Sequence, residues 1–193
     1  MPVVRNYTVA DYSGGRQNWS LAQSADGLIY VGNNTTLLEY DGNVWKNYPL
    51  PDKDLVRSVY VSDDQKVYCG AYEEFGYFEI TPGAAKYCSL SDVFEQSEIQ
   101  NEEIWNIVSC GDNIIFQSFT SLFVYDGKGV TMIRDVHPLN LFNVAGKLYA
   151  QKIEGDFVTL EIAPDGVVKM EPVRLSVAFQ ESIVAALPYE DDL

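Results

Sequence analysis

The sequence predicts an all-β protein, and within that class a β-propeller of four-stranded antiparallel blades. Short apolar runs of strand length alternate with Asp-Gly turns at residues 26–27 and 41–42, where glycine accepts the positive φ of a tight hairpin. Groups of four such runs recur along the 193 residues, and their starts are 38, 48 and 34 residues apart. Four short strands repeated at this period are the sequence signature of a propeller.

The predicted blades share a register that can be counted. Each starts seven positions before a turn residue, at Trp19, Arg57, Trp105 and Leu139. We expect four complete blades, at residues 17–48, 57–90, 105–133 and 139–171. The run at 182–193 resembles the start of a further blade, and residues 3–8 are the natural closing strand, so the propeller is incomplete. A β-sandwich with evenly spaced hairpins is the alternative, and the common register favours the propeller.

Composition narrows the classes of function. Hydrophobic residues make up 47% of the chain and aromatic residues 13%, which is ample for a packed core and typical of β-sheet. The net charge of −15 would repel a phosphate backbone, so we expect no nucleic-acid binding. No acidic run has calcium-loop spacing and no cysteine pair has zinc spacing, so neither a metal nor another cofactor is expected.

The cysteines and the first residues say little about location. Cys69, Cys88 and Cys110 are best interpreted as small hydrophobic residues. The first residues lack the basic and apolar regions of a signal peptide, and no apolar run approaches the roughly 20 residues of a membrane span. The sequence therefore fits either a cytosolic protein or a chain that begins after a removed signal.

No catalytic constellation is recognisable in the sequence. His137 precedes a proline in a segment without a motif, and we expect a structural role for it. Glu73 and Glu74 are adjacent, and adjacent strand residues point to opposite faces of a sheet. They are therefore not expected to act together in glycoside cleavage, which needs two facing carboxyl groups. We predict that the chain is not an enzyme.

A binding site is expected where the first strands of the blades line the central channel. Trp19, Arg57 and Trp105 share one register there, and Gln17 and Asn18 come just before Trp19. Aromatic faces suit the C–H surfaces of a sugar, and planar polar groups suit its hydroxyls. The alternative is that these residues brace neighbouring blades. Aromatic residues at a second shared register are expected in the core between blades: Tyr30, Tyr68, Phe116 and Tyr149.

A family resemblance is carried by residues 16–51 (RQNWSLAQSADGLIYVGNNTTLLEYDGNVWKNYPLP), 56–61 (VRSVYV) and 73–80 (EEFGYFEI). These runs resemble the start of the two-component regulator propeller of Bacteroidetes hybrid two-component systems and triple-tyrosine-module regulators. The resemblance covers nearly the whole chain. It implies a periplasmic propeller, joined through a β-sandwich module and a membrane helix to a kinase or DNA-binding output. None of those further modules is present here, so any kinase output or membrane contact belongs to other regions.

The resemblance also implies a function. In that family the ligands are commonly glycan breakdown products, so we expect an extracytoplasmic sensor segment that binds an oligosaccharide. We further expect self-association or a dimer through the unfinished blades. One alternative is a protein-interaction scaffold without a small-molecule ligand. Another is a fragment of a propeller lyase or glycosidase.

Overall fold

The chain folds almost entirely into short antiparallel strands, and the structure, a computed structural model, describes residues 4–51, 55–163, 167–174 and 182–188. It divides into two units, Met1–Glu103 and Ile104–Leu193, and each unit holds two four-stranded antiparallel sheets. Within every sheet the strands pair in the order of the sequence. Four such sheets are the blades of an all-β propeller, so the predicted fold class is confirmed.

The first unit contains sheets 1 and 2. Sheet 1 consists of β1 Asn18–Gln23, β2 Ile29–Asn33, β3 Leu37–Tyr40 and β4 Trp45–Tyr48. Sheet 2 consists of β5 Ser58–Val61, β6 Val67–Gly70, β7 Phe75–Thr81 and β8 Ala84–Ser89. The unit also has two single-turn helices, α1 Val9–Tyr12 and α2 Gln96–Ile99, and a 3₁₀ turn over Ser91–Val93.

The second unit contains sheets 3 and 4. Sheet 3 consists of β9 Asn106–Cys110, β10 Asn113–Gln117, β11 Leu122–Tyr125 and β12 Val130–Ile133. Sheet 4 consists of β13 Pro138–Val144, β14 Lys147–Lys152, β15 Phe157–Ile162 and β16 Val168–Pro172. The hairpin glycines predicted from sequence have the required conformation, with φ of 92° at Gly27 and 93° at Gly42.

Each unit has its own apolar core between its two sheets. In the first unit Tyr30 and Leu37 of sheet 1 pack with Val59, Val67 and Phe78 of sheet 2. Burying a side chain of this size stabilises the fold by about 1.5–3 kcal/mol. In the second unit the core joins residues of both sheets: Ile115, Leu122, Leu141, Ala150 and Leu160.

The structure differs from the sequence prediction at two segments, near residues 3–8 and near residues 182–193. Residues 4–8 form no strand, contrary to the closing strand predicted at 3–8, and Val3 lies outside the described residues. Instead the ring of Tyr7 packs edge-on against Tyr40 at 5.1 Å and Trp45 at 5.4 Å. Residues 182–188 also form no strand, and 189–193 lie outside the described part. Instead of pairing with a backbone carbonyl of a strand, the Ile183 N–H donates to the side chain of Gln151, at Oε1, at 2.7 Å.

Candidate ligand sites on the first strands

Trp19 owes its position to an irregularity in sheet 1. The pairing of β1 with β2 shifts register between Asn18 and Ser20, so Trp19 is the extra residue of a bulge. The same shift occurs in sheet 4 between Pro138 and Asn140, around Leu139. Bulges redirect a side chain at the end of a ladder. The shared register of Trp19 and Leu139 that the sequence predicts is therefore matched by a shared backbone irregularity.

The Trp19 ring is fixed on one face and at its nitrogen. The guanidinium carbon of Arg57 lies 3.8 Å from the centre of the ring, in cation–π geometry. The indole N–H donates to Asn34 Oδ1 at 2.7 Å. Trp19 is nevertheless 41% exposed, so part of its surface faces solvent. A tryptophan held in this way is a preorganised aromatic platform.

Arg57 is committed to partners within the first unit. Its Nε donates to Glu103 Oε1 at 2.8 Å, and the two side chains are only 12% and 21% exposed. Charge-assisted hydrogen bonds of this kind are among the stronger ones in proteins. Arg57 therefore positions Trp19 and anchors Glu103, which is the bracing role that the sequence left open.

Gln17 and Asn18 belong to an amide network around the start of β1. Asn34 Nδ2 donates to Gln17 Oε1 at 3.1 Å, and Asn33 Nδ2 donates to Asn18 Oδ1 at 2.6 Å. Asn33 is fully buried, and its Nδ2 also donates to the Gly15 carbonyl at 2.9 Å. The four candidates of the first unit, Gln17, Asn18, Trp19 and Arg57, thus form one cluster.

Trp105, the remaining candidate, lines a separate cavity in the second unit. Its ring lies 5.1 Å, centre to centre, from Phe119 in the turn between β10 and β11. The two rings border an open cavity of about 500 Å³ beside β9 and β13. Phe119 is 38% exposed, so an apolar ring is presented to solvent at this position. Cavities that hold small molecules start at about 300 Å³.

Amide side chains line the same cavity and tie its walls together. Asn106 Nδ2 donates to the Leu141 carbonyl at 2.8 Å, and Gln117 Nε2 donates to the Leu139 carbonyl at 3.1 Å. Asn140 Nδ2 makes the equivalent contact with the Ile183 carbonyl at 2.9 Å. The amide nitrogens therefore brace neighbouring segments.

The amide oxygens of this cavity have capacity left for a ligand. Among the described residues, no donor reaches Oδ1 of Asn106 or of Asn140, and both oxygens are acceptors. None of the described residues that line the cavity is charged. In a chain with a net charge of −15, such a wall suits a neutral ligand that has hydroxyl donors and an apolar face.

Sequence reasoning missed Phe119, Asn106 and Asn140. Phe119 lies in a turn, where no periodic pattern marks it. Asn140 follows Leu139 just as Asn106 follows Trp105, and this repeated asparagine is a signal that could have been found.

The residues considered for catalysis have separate structural roles. Glu73 Oε1 accepts from the Asn101 N–H at 2.8 Å. Glu74 accepts from Tyr87 OH and from Ser89 Oγ, each at 2.9 Å, and burial raises the pKa of Glu74. The main chain of His137 has a φ of 50°, and its carbonyl accepts from the Ile153 N–H at 3.0 Å.

The three cysteines differ in burial. Cys69 is fully buried, as expected of a small hydrophobic residue, and burial raises the pKa of its thiol. Cys88 and Cys110 are half-buried, and all three thiols are unbridged. Across residues 4–51, 55–163, 167–174 and 182–188, no group of three or more histidine, cysteine or acidic side chains could hold a metal ion. In the same segments, no helix is long and apolar enough to cross a bilayer.

The chain is similar in fold to solved structures of a lyase and of bacterial extracellular domains. The chain is similar to virginiamycin B lyase from Staphylococcus aureus, with a TM-score of 0.61 and 15% identity over 82% of this chain and 56% of that one. It is also similar to the extracellular domain of a hybrid two-component system from B. thetaiotaomicron, with a TM-score of 0.59 and 14% identity over 86% of this chain and 26% of that one. A one-component system of the same bacterium gives a TM-score of 0.58 and 15% identity over 86% of this chain and 22% of its extracellular domain.

These likenesses establish the fold. At 14–15% identity they carry no further inference by themselves, because one fold hosts many functions. The chain spans about half of the lyase and about a quarter of the two extracellular domains. No family model and no curated protein matches the sequence. The predicted resemblance to propellers of Bacteroidetes sensors is thus confirmed as a shared fold.

Proposed function

We propose that this chain is the propeller segment of an extracytoplasmic sensor of the two-component type, and that it recognises a neutral, glycan-derived ligand. The proposed class of ligand rests on the cavity of the second unit, whose described lining residues are uncharged. There Trp105 and Phe119 supply aromatic surface, and Asn106 and Asn140 supply acceptors. The extracytoplasmic location and the signalling role are supported by the extracellular domains that share the fold.

The net charge gives the first experiment its control. Isothermal titration calorimetry should compare the affinity of the full chain for neutral oligosaccharides, such as xylotriose and cellotriose, with its affinity for tri-galacturonate. At least one neutral sugar should bind about tenfold or more tightly than the acidic one. The acidic sugar is repelled by a chain of net charge −15 and meets no cation on the cavity wall. Equal binding of neutral and acidic sugars, or no binding of either, contradicts the proposed ligand class.

The similarity to virginiamycin B lyase favours a second candidate, a propeller lyase. A lyase needs a general base near its substrate, and none of the described residues that line the cavity beside Trp105 is ionisable. This supports a binding site over a catalytic one. Product analysis after long incubation with the bound sugar separates the two candidates, because a lyase would cleave the sugar and a sensor would leave it unchanged.

We further propose that copies of this chain associate through the outer face of sheet 1. Leu21 on β1 is 72% exposed, whereas the residues at the same register in sheets 2 and 4, Val59 and Leu141, are 7% and 1% exposed. Those two pack against the preceding sheet of their own unit. Tyr7 and Tyr12 already pack over Val31 and Leu38 on this face. The part that we propose for a second copy is therefore the exposed edge at Leu21 on β1.

A further inference from the structure

Glu39 is a charged residue at a position that sheet 3 fills with an apolar one. The Tyr-Asp-Gly turn at residues 40–42 recurs at 125–127, so Glu39 on β3 corresponds to Val124 on β11. Val124 is 6% exposed and packs in the core of its unit, and the Glu39 side chain is 2% exposed. A carboxylate at a buried position is unfavourable unless it is paired, so its partners matter.

The partners of Glu39 are donors on neighbouring strands. Lys46 Nζ lies 2.7 Å from Oε1, and Tyr48 OH donates to Oε2 at 3.2 Å. Tyr30 stands directly opposite Glu39 on β2. Burial first, and then the Glu39 carboxylate, raises the pKa of both Tyr30 and Tyr48, so both phenols keep their protons at neutral pH. Two carboxylate oxygens offer about four acceptor positions, and these partners leave room for another donor.

Glu39 borders an open cavity of about 620 Å³ between sheets 1 and 2, within the first unit. Much of the wall is apolar, with Leu28 on one side and Ile80 on the other. Its charged lining residues are the carboxylates Asp26 and Glu39 and the ammonium of Lys46. The Lys46 side chain is 52% exposed, so it reaches Glu39 from solvent and can swing away.

We propose that this cavity binds a small organic ammonium ion with an apolar body, whose ammonium group takes the place of Lys46 on Glu39. The carboxylate excess and the net charge of −15 favour a cation over an anion. The apolar wall favours a hydrocarbon body over a polyhydroxylated one. Aromatic side chains such as Tyr48 add the ring surface that commonly accompanies ammonium recognition. The site is independent of the sensor function and of the cavity beside Trp105.

The probe is n-hexylamine, compared with 1-hexanol and hexanoate, which share its body and differ in charge. Isothermal titration calorimetry of the full chain at pH 7 should show saturable 1:1 binding of the amine. The alcohol should bind at least about tenfold more weakly, because its hydroxyl lacks the charge that strengthens a hydrogen bond to a carboxylate. The carboxylate should bind at least as weakly as the alcohol, because Asp26 and Glu39 repel it. Equal affinity for amine and alcohol, or no saturable binding of the amine, overturns the proposal.

Two variants test whether the ammonium binds Glu39, and they should change the hexylamine affinity in opposite directions. Glu39→Gln should weaken hexylamine binding by about tenfold or more. Lys46→Met should strengthen it by about tenfold, because the ligand no longer displaces an internal ammonium. Unfolding cannot cause the tighter binding expected of Lys46→Met. That variant therefore tests the proposal even if Glu39→Gln is unstable.

The matched control is Glu161→Gln, which removes the same charge from an exposed position on β15 in the other unit. It should leave hexylamine affinity within about twofold of the parent chain. Lys46→Met binding no better than the parent, or Glu161→Gln weakening binding as much as Glu39→Gln, refutes the assignment to Glu39.

Discussion

The guanidinium carbon of Arg57 lies 3.8 Å from the centre of the Trp19 ring, and the same guanidinium is ion-paired with Glu103. One cation thereby connects the first strands of sheets 1 and 2 with the end of the loop that follows sheet 2. Arg57, which the sequence marks as a candidate ligand contact, thus also supports the ring of Trp19. This arrangement predicts an effect of Arg57 on stability.

Arg57→Ala should lower the free energy of unfolding by about 2 kcal/mol, because it leaves Glu103 unpaired and uncovers one face of Trp19. Urea denaturation followed by tryptophan fluorescence measures the change. The control is Lys169→Ala, which breaks the ion pair with Glu171, where the side chains are 65% and 61% exposed. That variant should change stability by less than about 1 kcal/mol. Equal losses in the two variants would show that the Arg57 pair contributes no more than a surface one.

Gly76 on β7 should not tolerate a side chain. A Cβ there would lie 2.2 Å from the Cys88 carbonyl oxygen and 2.8 Å from Tyr87 OH. Gly76→Ala should therefore cost about 2 kcal/mol or more, measured by thermal and urea unfolding. Gly129→Ala is the control, because a Cβ at Gly129 meets nothing within 4 Å. A Gly76→Ala chain as stable as the Gly129→Ala chain would mean that β8 lies further from Gly76 than the structure shows.

Asp41 and Asp126 should titrate below 3.8. The backbone N–H groups of Val44 and Asn43 lower the pKa of Asp41, and those of Gly129 and Lys128 lower the pKa of Asp126. A depressed pKa in the folded state contributes stability above pH 3.8 that is lost as the pH falls through the folded value. Carboxyl NMR titration gives both values directly. Asp41→Asn should remove its own share of this acid sensitivity, and a value at or above 3.8 at either aspartate contradicts the turn geometry.

Leu21→Ser should weaken self-association at least tenfold, because it places a hydroxyl on the face proposed for a second copy. Sedimentation velocity over a concentration series measures the association. Val93→Ser is the control, since Val93 is an equally exposed apolar residue (69%) in the 3₁₀ turn that follows sheet 2. A parent chain that stays monomeric at every concentration, or equal effects of the two variants, rules out the Leu21 face.

Much of the fold could be predicted from sequence because hairpin chemistry is local. The Asp-Gly turns and the shared register define strands that agree with the structure within a residue or two, from Asn18 at the start of β1 to Pro172 at the end of β16. The strand predicted at residues 3–8 is wrong for residues 4–8 because tertiary contacts override propensity. Tyr7 OH pairs with Tyr40 OH at 2.5 Å, and the Thr8 N–H donates to Asp11 Oδ2 at 2.6 Å as α1 begins.

The candidate sites could be predicted only in part. The register brings Gln17, Asn18 and Trp19 to one place, because bonded neighbours on a strand stay together. The partners of these residues could not be predicted, since Asn34 and Glu103 reach the cluster from other parts of the unit. Phe119 and Glu39 could not be found either, because an exposed aromatic turn residue and a buried acid are defined by their surroundings and not by spacing.

The central claim is that the second unit recognises a neutral sugar between Trp105 and Asn140. The most direct measurement is calorimetric titration of Trp105→Ala with the neutral oligosaccharide that the parent chain binds best, beside Tyr72→Ala as a control with a 42% exposed ring in the first unit. Each patch of about 60 Å² of apolar surface that the Trp105 ring buries against a sugar contributes about 1.5 kcal/mol. Trp105→Ala should bind at least about tenfold more weakly, and Tyr72→Ala should bind like the parent. Unchanged affinity in Trp105→Ala, or an equal loss in both variants, would contradict the account.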